Sequence, residues 1–455
     1  MFSTSTPKYK NLAIHIIFIL IFFIAVIETN LFTNLLNTFI AHDDWTYLLQ
    51  MQARLSDKMI TEGRWLQYLW SFVIVHTSPE ICFLICFISY IIVLLTITRT
   101  IQDPLTANTL FLALFFNPVI SELFKWPVTL SVELLFCIPT LFILHKKYYK
   151  LFFLFSILVM LIYPLIFSFV LLYAVFNNKY SIIAFCKLIV IYISGYFIGI
   201  LLLSIINYFV FSRFGVEIAL WRNPHPIHHL YDIYTNISLL FSQLITLIQY
   251  YLYPIIATVI FCIVTSFFKT DRTNFIKLLI FGLIFLGLDS MITISSGVVI
   301  PVNRTIWFWL FLSSFIVINN HTQHWIKYLS IVLLSLLAIW GMQFFYFNFK
   351  HAQDELSYEK FIIYNYYFLT NNSNNTNLIL CGDPHISSPL NFVQFDGVAL
   401  SMSYRYHIHV QYCNNDLMKQ IQNYRSKNNF PIMFKYNHDV IMYLNNTAWY
   451  TDWKL

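Results

Sequence analysis

Residues 80–98 read EICFLICFISYIIVLLTIT, and beyond Glu80 the stretch carries no charge. Nineteen residues of helix at about 1.5 Å each reach about 28 Å, close to the thickness of a bilayer's hydrocarbon core. Comparable runs occupy 12–27, 105–120, 128–144, 181–210, 238–268, 275–296, 304–320 and 326–346. Across the chain 58% of residues are hydrophobic and 11% charged, with a mean hydropathy of +0.67. A soluble domain carries about a quarter charged residues. The chain is therefore read as an all-α polytopic membrane protein. Aromatics make up 19%. Interfacial belts and a codon bias toward A and T account for them without any functional role.

The positions of the charges set the topology. Lys8 and Lys10 precede the first run, which lacks a small-residue cleavage site and is expected to remain as a span. Lys8, Arg99, Lys146, Lys147, Lys150, Lys179, Lys269, Arg272, Lys277 and Lys327 share one side if segment 151–176, interrupted at Tyr163-Pro164, crosses twice. That makes about eleven spans, a cytoplasmic N-terminus, and a first outer loop at 30–79. Each half of the double crossing has about 12 residues against the roughly 20 of an ordinary span, so short, tilted or re-entrant helices are required. No basic block suits nucleic acid.

Further outer segments follow at 121–127, 211–237 and 297–304. The expected division is a membrane domain over 1–346 and an outer C-terminal domain over 347–455. The latter has strand-like pieces at 377–381, 406–412 and 431–436 and helix-like ones at 354–369 and 416–425, predicting a small α/β or α+β unit. Cys381 and Cys413 lie in it and form a candidate disulfide if it faces an oxidising compartment. Cys82, Cys86, Cys137, Cys186 and Cys262 lie in apolar runs and read as buried small residues.

The first outer loop contains His42-Asp43-Asp44-Trp45 and then Gly63-Arg64-Trp65. Adjacent carboxylates repel, and their charge is expensive near a low-dielectric interface. Neighbours on a helix or strand point in different directions. If Asp43 caps a helix beginning near Trp45, with Asp44 favouring its first turn, one carboxylate is left facing something else, such as a substrate hydroxyl. Gly63 fits the left-handed residue that ends a helix. Arg64 reads either as a snorkelling interfacial side chain or as an anion clamp whose planar fork suits phosphate. His225, His228 and His229 have irregular spacing among prolines and make no metal site; they read as loop residues near sugar or phosphate, with Trp221 and Arg222 beside them. Asp383-Pro384-His385 follows an expected strand end and reads as a binding loop or a plain turn.

Asp-Asp-Trp followed by Gly-Arg-Trp in a first outer loop, on a many-span chain with an outer C-terminal region, resembles the GtrII-type glucosyltransferases. These are GT-C-like enzymes of the bacterial inner membrane that modify O-antigen. The motifs cover residues 40–70, and the span layout extends the resemblance loosely to residue 346. Gly297 with Pro301-Val302-Asn303-Arg304 resembles the family's late outer loop, where a proline and an arginine precede a membrane helix. The resemblance implies a polyprenyl-phosphate-glucose donor, an O-antigen or related glycan acceptor, and a periplasmic active site. No cofactor or metal site is assigned. One carboxylate suffices to take the acceptor's proton, because the departing phosphate is already a stable anion and needs positive charge nearby, not an acid. Glycosidases, by contrast, need two carboxylates. Asp43 or Asp44 is then the base, with Arg64, Trp65, Arg222, His228 and Arg304 as substrate-binding candidates. Arg304 also reads as an interfacial anchor beside Trp307 and Trp309.

Competing readings are transfer of another sugar on the same architecture, an O-antigen polymerase, or a lipid-linked glycan flippase. A flippase predicts polar residues within spans and pseudo-symmetric broken helices. Glu133, Lys187 and Asp289 are the notable charges inside the predicted spans, and the remaining polar material gathers in outer loops.

Overall fold

The computed structural model describes residues 6–75, 77–162, 167–219, 222–265, 272–302, 305–318, 324–370, 376–382, 395–427 and 433–444. The chain opens with α1 (Thr6–Glu28), followed by four shorter helices, α2 (Leu31–Leu36), α3 (His42–Leu48), α4 (Gln52–Glu62) and α5 (Trp65–Ile74). The bundle continues through α6 (Pro79–Thr98), α7 (Pro104–Phe115), α8 (Pro118–Leu123), α9 (Pro127–His145), α10 (Tyr149–Leu158), α11 (Phe167–Phe176) and α12 (Ile182–Phe211). It closes with α13 (Leu230–Tyr250), α14 (Leu252–Thr265), α15 (Arg272–Ser296), α16 (Ile306–Ile318) and α17 (His324–Thr370). Among the described residues, α6, α9, α12, α15 and α17 are long and apolar enough to cross a membrane. The pair α13–α14, bent by 78°, is a sixth candidate. The chain is thus a mostly helical, multi-pass membrane protein by helix length and hydropathy.

Segment 151–176 folds as two short helices. A 3-10 turn, Val159–Leu161, extends α10, and Tyr163-Pro164 lies outside the described residues. Both ends of the pair return to one place: the Lys147 ammonium donates to the Lys179 carbonyl at 3.1 Å. Lys277 donates to the carbonyls of Ala174, Asn177 and Tyr180 at the end of α11. Ten residues of helix span only about 15 Å, about half the hydrocarbon thickness. Within the pair, α10 is held against α12 by Gly195 and Gly199, four residues apart, whose added Cβ atoms would lie 2.5 Å from Ser156 Cβ and 2.6 Å from the Ile157 carbonyl. Small residues at this spacing let helix backbones approach closely.

The opposite end of the bundle gathers the loops that were expected to be outer. The Glu217 amide donates to the Ile60 carbonyl, Ala41 to Lys125, and His225 to Ser296. Trp307 and Trp309 are buried rather than interfacial: the Trp307 indole donates to Asp289 and the Trp309 indole to the Ala113 carbonyl, each at 2.7 Å.

α17 runs 47 residues, about 70 Å, unbroken through position 346. That unit is a four-stranded mixed sheet, ordered β2-β1-β4-β3, of β1 (Leu378–Gly382), β2 (Val410–Tyr412), β3 (Met433–Tyr436) and β4 (Asp439–Leu444). β1 pairs in parallel with β2 and β4, and β3–β4 is an antiparallel hairpin. Alternation divides the faces. Leu378, Leu380, Val440 and Met442 pack on the end of α17 and on α18 (Phe395–Tyr406). Ile379, Cys381 and Ile441 pack on α19 (Asn415–Lys427). Cys381 and Cys413 form a disulfide. The expected strand at 406–412 is shorter, because Tyr406 still belongs to α18.

Candidate functional site

The two aspartates have separate tasks, and the N-terminus of α9 is the reason. Position N1 of α9 is Pro127, which has no N–H, and its cap residue Trp126 makes no side-chain cap bond. The donors left over at a helix start must find acceptors. Asp44, wholly buried, supplies them: it accepts from the Val128 amide at 2.6 Å, the Thr129 amide at 3.3 Å and the Thr129 hydroxyl at 2.7 Å. Burial pushes the Asp44 carboxyl up to about 7, against the lowering effect of those hydrogen bonds. The expectation that Asp43 caps a helix starting near Trp45 is corrected here. The helix begins at His42 with Ala41 as its cap, and the capping aspartate is Asp44, acting on another helix.

Asp43 instead lines an open cleft. Arg64 lies on the same cleft, and the other wall is the start of α9 and the residues just before it: Leu123, Trp126, Thr129, Leu130 and Glu133. Lys58 Nζ pairs with Asp43 Oδ1 at 3.2 Å and with Glu62 Oε1 at 3.0 Å. Glu62 also pairs with Arg64, and with Arg222 at 3.6 Å. Burial pushes the Glu62 carboxyl up, but the charges of Arg64, Lys58 and Arg222 overcome this and hold it below its ordinary value. Burial likewise works against the Arg64 charge, and Glu62, Tyr47, Glu133 and Asp43 outweigh it, so its pKa is raised.

Local structure delivers Arg64 to this place. Gly63 ends α4 at φ 70°, and an added Cβ would lie 2.4 Å from Leu203 Cδ2. The left-handed turn is inexpensive only for glycine, and it reverses the chain so that Arg64 opens α5 facing inward. Beneath the cleft a buried chain joins three helices: the Tyr47 hydroxyl donates to Gln67 Oε1, and Gln67 Nε2 donates to Glu133 Oε1, both at 3.2 Å.

Asp43 and Arg64 are thus brought together, with Arg222 attached through Glu62. Trp65 is not a wall of the cleft; its indole donates to Asn207 Oδ1 at 2.9 Å and its ring leans on Phe211. His228 is exposed at the start of α13, where its amide and that of His229 donate to the Asp232 carboxylate. Arg304, Trp221 and Asp383-Pro384-His385 lie outside the described residues. Sequence reasoning missed Lys58, Glu62 and Trp126, and noted Glu133 only as a charge inside a span. The usable signal was the spacing 126, 130, 133, which is one face of a helix. No protein-family model, curated protein or solved structure matches the chain.

Proposed function

We propose that the chain is a membrane glycosyltransferase that moves a hexose, glucose by the family resemblance, from a polyprenyl-phosphate donor to a glycan hydroxyl outside the cytoplasmic membrane. The observation that carries this is one cleft holding the Asp43 carboxylate and the Arg64 guanidinium, while Asp44 is occupied by α9. The acceptor O–H gives its proton to Asp43 as its oxygen bonds to the anomeric carbon. The bond from that carbon to the phosphate oxygen breaks, and the lipid phosphate leaves with the electron pair. Positive charge must meet the leaving group, and a phosphate entering here draws Arg64 and Arg222 away from Glu62.

Two observations support the orientation. The disulfide Cys381–Cys413 fits an oxidising compartment, and the basic loops bearing Lys147 and Lys179 meet at the other end.

The test is expression in a bacterial strain of defined O-antigen, with the glycan read by mass. An added hexose that depends on polyprenyl-glucose supply is expected. Asp43→Asn should lower transfer about 10²–10⁴-fold, whereas inserted Asp44→Asn should keep a substantial rate. An unchanged glycan from inserted, full-length protein sinks the proposal, and full activity in Asp43→Asn sinks the assignment of the base.

A further inference from the structure

The wall of the cleft opposite Asp43 has a composition that the transfer chemistry does not require. Trp126, Leu130 and Glu133 fall at intervals of four and three residues and form one stripe on the first turns of α9. Trp126 is half-buried, so part of its indole surface is available to the cleft. Glu133 is 3% exposed, yet it lines the same open space. A carboxylate this deep is costly to bury, and its orientation is maintained by the Tyr47–Gln67–Glu133 chain. Thr129, on the same wall, turns its hydroxyl to Asp44.

We infer that Trp126, Leu130 and Glu133 form a subsite for one neutral pyranose ring, the acceptor sugar, with Asp43 above its reacting hydroxyl. A pyranose has an apolar face of C–H groups and an equator of hydroxyl donors. An indole covers the first, and a carboxylate accepts from the second in charge-assisted hydrogen bonds. Leu130 closes the floor between them. The role as acceptor site rests on the transferase reading. The binding of a hexoside does not.

The experiment is saturation-transfer NMR on the purified full-length chain in nanodiscs, with a panel of methyl hexosides as probes and inositol and inorganic phosphate as controls. Ring C–H protons of at least one hexoside are expected to receive saturation, and inorganic phosphate is not expected to compete. Glu133→Gln, which keeps the shape, and Trp126→Ala should each weaken binding about ten-fold or more. Trp126→Phe should retain most of it and shows that loss in the alanine variant is not misfolding. No hexoside bound by the wild-type chain, or unchanged affinity in both Glu133→Gln and Trp126→Ala, overturns the subsite. Hexoside binding that follows Trp126 and Glu133 in a chain with no transfer activity would leave the subsite standing and remove the transferase reading.

Discussion

At the scale of residues, the pair Asp43-Asp44 shows how far adjacent identical side chains can diverge. Position on α3 aims one at the cleft and the other at α9, whose proline start creates the need for an outside cap. Replacing Asp44 with alanine should cost about 1–2 kcal/mol, the value of a helix cap, read as a lower thermal midpoint of the detergent-solubilised chain. Its pH dependence has a definite sign. Folding raises the carboxyl from an ordinary 3.8 to about 7, so the folded state holds the proton more tightly. Stability contributed at this site is therefore highest below about pH 4, falls as pH rises to about 7, and is level beyond. Asp44→Asn removes this component, so the variant should gain on the wild type as pH rises from 4 to 7 in parallel melts. A constant difference across that range would show that Asp44 does not titrate there. That the Asp-Asp pair and Arg64 share one neighbourhood was legible in sequence. Their division of labour was not, because it depends on an α9 backbone 84 residues away.

Elements were legible where one physical signal dominated. Long apolar runs became α6, α9, α12 and α15 within a few residues. Charge placement anticipated the paired short helices α10 and α11, because only a segment that returns leaves the lysine loops together. What escaped was the contact that holds α10 to α12, Gly195 and Gly199, since two glycines in an apolar run carry no message until the facing helix is known. Gly199→Val should force α10 outward and cost about 1–3 kcal/mol, the usual penalty for overpacking. Gly287 is the control: nothing lies within 4 Å of its added Cβ, so Gly287→Val should stay within about 0.5 kcal/mol. Equal thermal midpoints for the two variants would refute close packing of α10 on α12. The C-terminal unit was harder to read: α18 and β4 went unseen, and strand ends shifted by a few residues. Short strands owe their position to neighbours on both faces rather than to local preference.

At the scale of the whole molecule, α17 changes what the C-terminal unit is. Sequence reading placed a domain boundary at 346, and α17 crosses that position as one continuous helix. α17 instead carries the sheet and α18 back over the first outer loop. There the Trp45 ring lies 5.3 Å from the Tyr404 ring and beneath the Arg405 guanidinium, and the Tyr404 hydroxyl donates to the Thr77 carbonyl. Arg405 also bonds the Thr38 carbonyl and pairs with Glu80 at 3.7 Å. α3 is seven residues long, and its cap makes no side-chain bond. It is held between Asp44 on α9 and Trp45 on α18, so the position of Asp43 depends on the sheet unit as well as on the bundle. Inserting Gly-Ser after Phe347 tests this dependence. Two added residues rotate the distal half of α17 by about 200° and advance it about 3 Å, which carries α18 away from α3. Ile40 reports the event, because it is buried at the cavity that α17 and α18 share with this loop. An Ile40→Cys chain should resist an impermeant maleimide, and the same chain with the insertion should react with it. Transfer, if the proposed activity holds, should fall with the insertion even though Asp43 and Arg64 are unchanged. Continued protection of the cysteine would mean that the C-terminal unit sits on the loop without guidance from α17, and the strut would then have no part in placing Asp43.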